Sequence, residues 1–307
     1  IEELGDPGMT DRHWQEIKDL VKKDFVVDDN LKLKDIYELD LTKYAEDVEE
    51  ITDKAKQEAR IEKNLNKISS FWENILLDFK QYKNTDVQMW GLSEENYEAL
   101  EEHTVTVSGM TSSRYIAFYE EEAVKWRQSL GNISEILLAS SEVQRKWQYL
   151  ESLFIHSEEV KKELPKDAER FVKIDEDFKR ITKDAWEKKK ALDFCDTPGV
   201  LKLYNDIESQ LVLCEKALNE FMNQKKIAFP RFYFVSPADL LDILSNGNMP
   251  QKIMVHLPKI FQAIGNLKLN DLGQARPQAE GMVSCVGEEY VEFVRPLTLL
   301  GKVENYL

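Results

Sequence analysis

The chain has 307 residues, 42% of them hydrophobic, which is enough for one or two domains with a real buried core and excludes disorder over most of its length. Charged residues make up 32% and glycine only 12 positions, the balance of long solvent-washed helices rather than of sandwiches or barrels. Against 57 Asp and Glu stand 41 Lys and Arg, a net charge of −16 that repels polyanions and argues against nucleic-acid binding.

Thr10 to Lys23 reads as a first helix, with Thr10 as its cap and Trp14, Ile17 and Val21 on one face. A polar connection through Asp28, Asp29 and Asn30 follows. From Thr42 to Tyr82 the positions Tyr44, Val48, Ile51, Ala55, then Ile61, Leu65, Ile68, Trp72, Ile75 and Phe79 step by three and four, with one phase slip between 55 and 61. Read as one helix, this stretch would be about 60 Å long. Ser93, with Glu94 and Glu95 behind it, marks another helix start, and Thr104 to Met110 alternates weakly, as a short strand or a loop. The spacing then predicts a helix over 111–130 and a second from Asn132 carrying Ile133, Leu137, Trp147, Leu150 and Phe154.

Pro165 suits the first turn of a helix bearing Phe171, Ile174, Phe178, Ile181, Ala185 and Leu192. Asp196-Thr197-Pro198-Gly199 turns the chain into a further helix with Leu203, Ile207, Leu211, Cys214, Leu218 and Phe221, so the two form an αα-hairpin. After Lys226 the texture changes. Residues 227–237 are aromatic and proline-punctuated and are expected to make a buried extended crossing. Short helices over 238–244 and 251–267 follow, divided by the turn Asn246-Gly247-Asn248. The period then changes to two, and Met282, Val283 and Val286 with Tyr290, Val291 and Phe293 predict a β-hairpin around Gly287-Glu288-Glu289. The fold class is mainly α: an elongated bundle of long antiparallel helices with a short β-hairpin near the C-terminus, in three segments, 1–92, 93–226 and 227–307.

Chemistry is sparse. Three widely spaced cysteines, Cys195, Cys214 and Cys285, form no CxxC pair and fit a reducing compartment, with Cys214 a buried apolar residue. No stretch reaches 18 uninterrupted apolar residues and the first residues are acidic, so the chain is expected to be soluble and intracellular; opening on Ile1, it reads as an excised fragment or a processed chain. There is no GxxxxGK[ST]. Asp196–Gly199 has the DxxG form of a GTPase switch but no P-loop before it, so it is expected to be only a turn. His13, His103, His156 and His256 share no metal spacing and read as surface or cap residues. Lys188-Lys189-Lys190 and Lys225-Lys226 are expected to be solvated helix faces, and the carboxylates to pair with lysines along them. Of the six tryptophans, Trp72, Trp126 and Trp147 lie on apolar stripes as core residues, whereas the pattern decides neither way for Trp90 and Trp186. No catalytic, cofactor-binding or metal-binding residues are assigned, and the chain is expected not to be an enzyme.

The segment Phe229-Pro230-Arg231-Phe232-Tyr233-Phe234-Val235-Ser236, continuing Pro237-Ala238-Asp239-Leu240-Leu241-Asp242-Ile243-Leu244-Ser245-Asn246-Gly247, resembles the signature of dynein heavy-chain linkers. Residues 61–67 (IEKNLNK), 144–152 (QRKWQYLES) and 213–218 (LCEKAL) look like the same family in the same order, and the wording after Phe234 is closer to axonemal outer-arm heavy chains than to cytoplasmic ones. The resemblance implies a bent helical rod arching over a ring of AAA+ modules of the same heavy chain and swinging as that ring hydrolyses ATP. The ATP, Mg²⁺ and microtubule-binding parts would lie further along the heavy chain, leaving this segment without a cofactor, without membrane contact and without direct microtubule contact, on the cytoplasmic side in a ciliary or flagellar axoneme. The rival reading is a spectrin-like structural repeat, but the aromatic segment and the terminal hairpin have no earlier copy in the chain. A helical enzyme with a site of dispersed carboxylates is the third.

Overall fold

The computed structural model describes residues 3–23, 25–27, 33–247, 249–270, 278–287, 289–299 and 301–307. The expected connection at 28–30, with Asn248 and Glu288 of the two later turns, lies outside the described residues. The elements in order are α1 (Asp11–Val21), α2 (Leu33–Glu38), α3 (Ala45–Trp72), β1 (Asp78–Gln81), β2 (Gln88–Gly91), α4 (Glu94–Thr111), α5 (Glu120–His156), α6 (Glu158–Glu163), α7 (Pro165–Lys188) and α8 (Ala191–Cys195). They continue with α9 (Val200–Ala228), α10 (Pro237–Ser245), α11 (Pro250–Met254), α12 (Leu257–Ile260), β3 (Ile264–Leu269), β4 (Gln278–Ser284), β5 (Tyr290–Thr298) and α13 (Val303–Tyr306). The fold is mainly α with small antiparallel sheets, and it divides into two compact units, Ile1–Leu138 with Thr182–Leu201, and Ala139–Ile181 with Lys202–Leu307.

In the first unit α1 packs on α3. The buried stripe of α1 is His13, Ile17 and Val21, while Trp14 stands half-buried against Phe25. Along α3 the buried side chains are Thr52, Ala55, Glu58, Ile61, Leu65, Ile68 and Trp72. The stripe therefore has no phase slip: Glu58 fills the gap, invisible to a count of apolar residues because a carboxylate there is buried only where it is paired. At 28 residues α3 is about 42 Å long, not 60 Å. It stops at Trp72 because the following backbone finds partners outside a helix. The Leu77 N–H donates to the Lys189 carbonyl (2.8 Å), the Ala191 N–H to the Ile75 carbonyl (3.0 Å), and β1 pairs antiparallel with β2, Phe79 opposite Trp90. Lys83, in the left-handed region at φ 49°, helps turn the chain between these strands. Trp90 is buried edge-on to Phe194 (5.3 Å), a core residue, and Trp186 is 43% exposed with the Phe79 ring beside it (4.9 Å).

Ser93 caps α4 by accepting from the Asn96 N–H (3.3 Å). The stretch 104–110, expected as strand or loop, belongs to α4. Its β-branched residues are accommodated because the Thr104 and Thr106 hydroxyls donate to the carbonyls of Leu100 and Glu102, and Val107 is fully buried. The two helices expected at 111–130 and from 132 are one, α5, which starts at Glu120 and runs uninterrupted through Gly131 for 37 residues, about 55 Å.

In the second unit α7 and α9 form the expected hairpin, with the Cys214 thiol at the Asp167 carbonyl and Phe171, Ile174, Phe178, Ile207, Leu211 and Leu218 all buried. From α5, Trp147 stacks on Phe178 (4.5 Å) and Phe154 on Phe171 (5.4 Å). The extended crossing expected at 227–237 is not there. Helix α9 continues to Ala228, and Pro230, whose fixed φ suits a first helical position, opens a 3₁₀ turn over Pro230–Phe234 that buries Phe232 and exposes Tyr233 and Phe234. The helix expected over 251–267 is broken into α11, α12 and β3, with Pro258 lacking the N–H that a continuous helix would use. The terminal hairpin is present as β4–β5, Met282 opposite Val291 and Val283 opposite Tyr290, with β3 as a third strand on the other side of β4. Gly281 is required there: a Cβ would lie 2.5 Å from both the Tyr290 ring and the Val291 carbonyl.

Candidate functional surfaces

The most chemically suggestive cluster joins α1 to α3. The Thr10 hydroxyl lies 2.9 Å and the Thr10 N–H 3.2 Å from His13 Nδ1, while His13 Nε2 and the Arg12 guanidinium each lie 3.2 Å from Glu58 Oε2. Nδ1 thus faces Thr10 and Nε2 faces the carboxylate. A hydroxyl, an imidazole and a carboxylate in a row have the composition of a nucleophilic triad. Here, however, the hydroxyl belongs to a helix-cap residue and the imidazole is only 1% exposed, so the arrangement ties α1 to α3. Arg12 completes the tie, its guanidinium 3.2 Å from the centre of the Phe118 ring.

Of the remaining histidines, two are buried and one lies at the surface. His103 is buried, its Nδ1 accepts the Trp72 indole N–H (3.0 Å), and burial holds its pKa below the usual imidazole range, so it is a neutral acceptor in the core. His256, also buried, has Nε2 2.7 Å from Asp242 and Nδ1 3.5 Å from Asp239, which in turn accepts from Lys259 (2.7 Å). His156 is exposed beside Glu151 (3.3 Å). Among the described residues no group of three or more His, Cys, Asp or Glu is arranged to hold a metal ion. Burial pushes the Cys195 thiol up to about 12 and the Cys214 thiol to about 11, so both stay protonated near neutrality and neither is a nucleophile there; Cys285 is exposed.

The turn at Asp196–Gly199 is a structural joint. Asp196 accepts from the Ser129 hydroxyl (2.8 Å) and the Asn132 amide (3.2 Å) of α5, and Gly199 takes φ +90°. Of the basic runs, Lys188 pairs with Asp184 (3.1 Å) and the Thr197 hydroxyl (2.8 Å). Lys225 departs from the expectation of a solvated face. It is buried and 2.5 Å from Glu304, and both side chains are 8% exposed. An apolar-stripe count misses it for the same reason that it misses Glu58: the charge is matched by a residue distant in sequence. The pair fastens the C-terminal stretch, where Leu299, Val303 and Tyr306 are buried, Lys302 reaches Glu163 (3.0 Å) and the Tyr306 hydroxyl donates to the Gly247 carbonyl (2.7 Å).

Outward, the second unit leaves Ile227, Tyr233 and Phe234 at 71%, 60% and 81% exposure around the 3₁₀ turn. Among the described residues no helix is long and apolar enough to cross a membrane. Several charged groups fasten one helix or stretch to another, as Lys225 does with Glu304 and Lys302 with Glu163.

The whole chain, residues 1–307, matches the family described as dynein heavy chain, N-terminal region 2. It is 43% identical over 311 aligned residues to the dynein alpha chain of the flagellar outer arm of Chlamydomonas reinhardtii, 36% to dynein axonemal heavy chain 9 of Homo sapiens and 37% to the ciliary dynein beta chain of Tripneustes gratilla. In each case the match covers all of this chain and 7% of the relative, so the chain spans a small fraction of the length of the heavy chains it matches.

Proposed function

The chain belongs to the dynein heavy-chain family, as a stretch of its N-terminal region 2 similar to axonemal heavy chains, and on that footing we propose that it is a mechanical linker. It catalyses nothing itself and carries the ATP-driven change of an AAA+ ring in the same heavy chain into movement along microtubules. The ring, its ATP and its Mg²⁺ lie in other parts of that heavy chain, and the working place is the cytoplasmic side of the cell, in a ciliary or flagellar axoneme. The observation that carries this reading is the length and fastening of the helices. Helices α3, α5 and α9 hold 28, 37 and 29 residues, and their buried faces are closed by Glu58, Trp147 and Lys225 with named partners. Such helices resist bending, because a sharp kink needs a proline, a bulge or an inserted group to break the hydrogen-bond ladder. With a donor dye on Tyr233→Cys and an acceptor on the ring of the intact heavy chain, energy transfer is expected to step between two levels with the nucleotide state. One level in every state would contradict the linker role.

Nucleotide should not bind to the segment alone, since its sequence has no loop supplying the row of backbone N–H groups that a triphosphate needs. Titration calorimetry with ATP or GTP and Mg²⁺ is expected to give only heats of dilution. A stoichiometric, Mg²⁺-dependent signal at micromolar nucleotide would overturn the non-catalytic assignment.

A further inference from the structure

Asn246-Gly247 is the one Asn-Gly pair in the sequence, and it sits where the C-terminal stretch is fastened. Asn246 caps the end of α10, and its Nδ2 donates both to the Asp242 carbonyl (2.8 Å) and to Asp242 Oδ1 (2.9 Å). Its Oδ1 accepts from Lys252 Nζ (3.1 Å). Gly247 is pinned on the other side, its carbonyl accepting from the Tyr306 hydroxyl (2.7 Å) and its Cα so close to Val303 that a Cβ would lie 2.8 Å from Val303 Cγ2.

We propose that Asn246 is a deamidation site, held unreactive by Asp242 and by the docked C-terminal stretch and opened when that stretch is released. The reaction needs only water. The Gly247 nitrogen gives up its proton to solvent and bonds to Asn246 Cγ; the Cγ–Nδ2 bond breaks, Nδ2 leaves as ammonia by taking up a proton, and a cyclic imide remains. Water then adds across one of the two imide C–N bonds and leaves either aspartate or isoaspartate. Glycine favours the attack because no side chain shields its nitrogen. Lys252 favours it as well, by drawing electrons from the amide carbon through Oδ1. Opposing both, Asp242 anchors the leaving nitrogen by two bonds and Tyr306 anchors Gly247, so Cγ and the Gly247 nitrogen are not free to meet. The product acts back on the docked stretch. An aspartate oxygen replaces the donor that faced Asp242 and repels it, and isoaspartate adds a methylene to the main chain in the residue before the one whose carbonyl Tyr306 grips.

The test follows the full 307-residue chain at mildly alkaline pH by peptide-mapping mass spectrometry that separates Asn, Asp and isoAsp at position 246. The folded chain is expected to deamidate slowly there and the urea-unfolded chain fast. Asp242→Ala should accelerate the folded reaction roughly tenfold or more, the factor that follows when one charge-assisted bond no longer restrains the reacting group. Tyr306→Phe, which removes only the grip on Gly247 and is mild enough to stay folded by circular dichroism, should accelerate it in the same direction. Adding Lys252→Met to the Asp242→Ala chain should slow it again. Wild-type rates in both Asp242→Ala and Tyr306→Phe, or an unfolded chain no faster than the folded one, would overturn the proposal.

Discussion

Replacing Trp147 with alanine is expected to lower the unfolding free energy of the chain by about 3–5 kcal/mol, the range for truncating a large buried aromatic. Trp147 is 1% exposed, stacks on Phe178 at 4.5 Å with the rings 27° from parallel, and donates its indole N–H to Asp175 Oδ1 (3.2 Å). Alanine removes the contact between α5 and α7 and leaves a cavity that the surrounding helices fill only in part. It also strips one donor from a buried carboxylate, although Lys179 still reaches Asp175 Oδ2 (2.6 Å), which keeps that part of the loss small. Trp147→Phe is the milder companion: it retains one ring against Phe178 while losing the indole donor and the volume of the second ring, so it should cost less than alanine. Urea titrations followed by far-ultraviolet circular dichroism would measure both. A loss under about 1 kcal/mol for the alanine variant would place the side chain outside the core, where substitutions usually have such small effects.

How much of this was legible beforehand depends on whether a residue's partner lies close in sequence. The start of α7 at Pro165 with its stripe from Phe171 to Ala185, and the stripe of α9 from Ile207 to Phe221, could be read directly, because a three-and-four step needs no information from elsewhere in the chain; Leu192, expected on the same helix as Phe171, lies instead in α8, beyond the left-handed Lys189. The end of α3 could not. Ile75 and Phe79 continue its apolar step, and only Lys189 and Ala191, more than a hundred positions later, draw 75–77 out of the helix. Residues 104–110 failed differently, as weak β propensity was outweighed by the burial of Val107 within α4. Glu58, Lys225 and His256 were missed because charged and titratable side chains read as solvated until their partners are known. The aromatic segment 229–236 folds as a 3₁₀ turn rather than an extended crossing, and it is only partly internal: Phe232 and Val235 are buried while Tyr233 and Phe234 face outward.

The claim that matters most is that this segment transmits force, and Leu211 offers the most direct test of it. Leu211 is fully buried in the interior of α9. Proline there deletes a ladder hydrogen bond and drives its ring against the carbonyl one turn back, kinking or breaking the helix at about 3 kcal/mol or more. Leu211→Ala serves as the companion variant, since it removes similar packing and leaves the backbone continuous. Both would be placed in the intact heavy chain, with circular dichroism establishing that the remainder is folded, and microtubule gliding and ATP turnover measured on one preparation. The account predicts that Leu211→Pro still hydrolyses ATP while gliding falls to a small fraction of the unmodified speed, and that Leu211→Ala retains most of both. Gliding at full speed with α9 broken would contradict it.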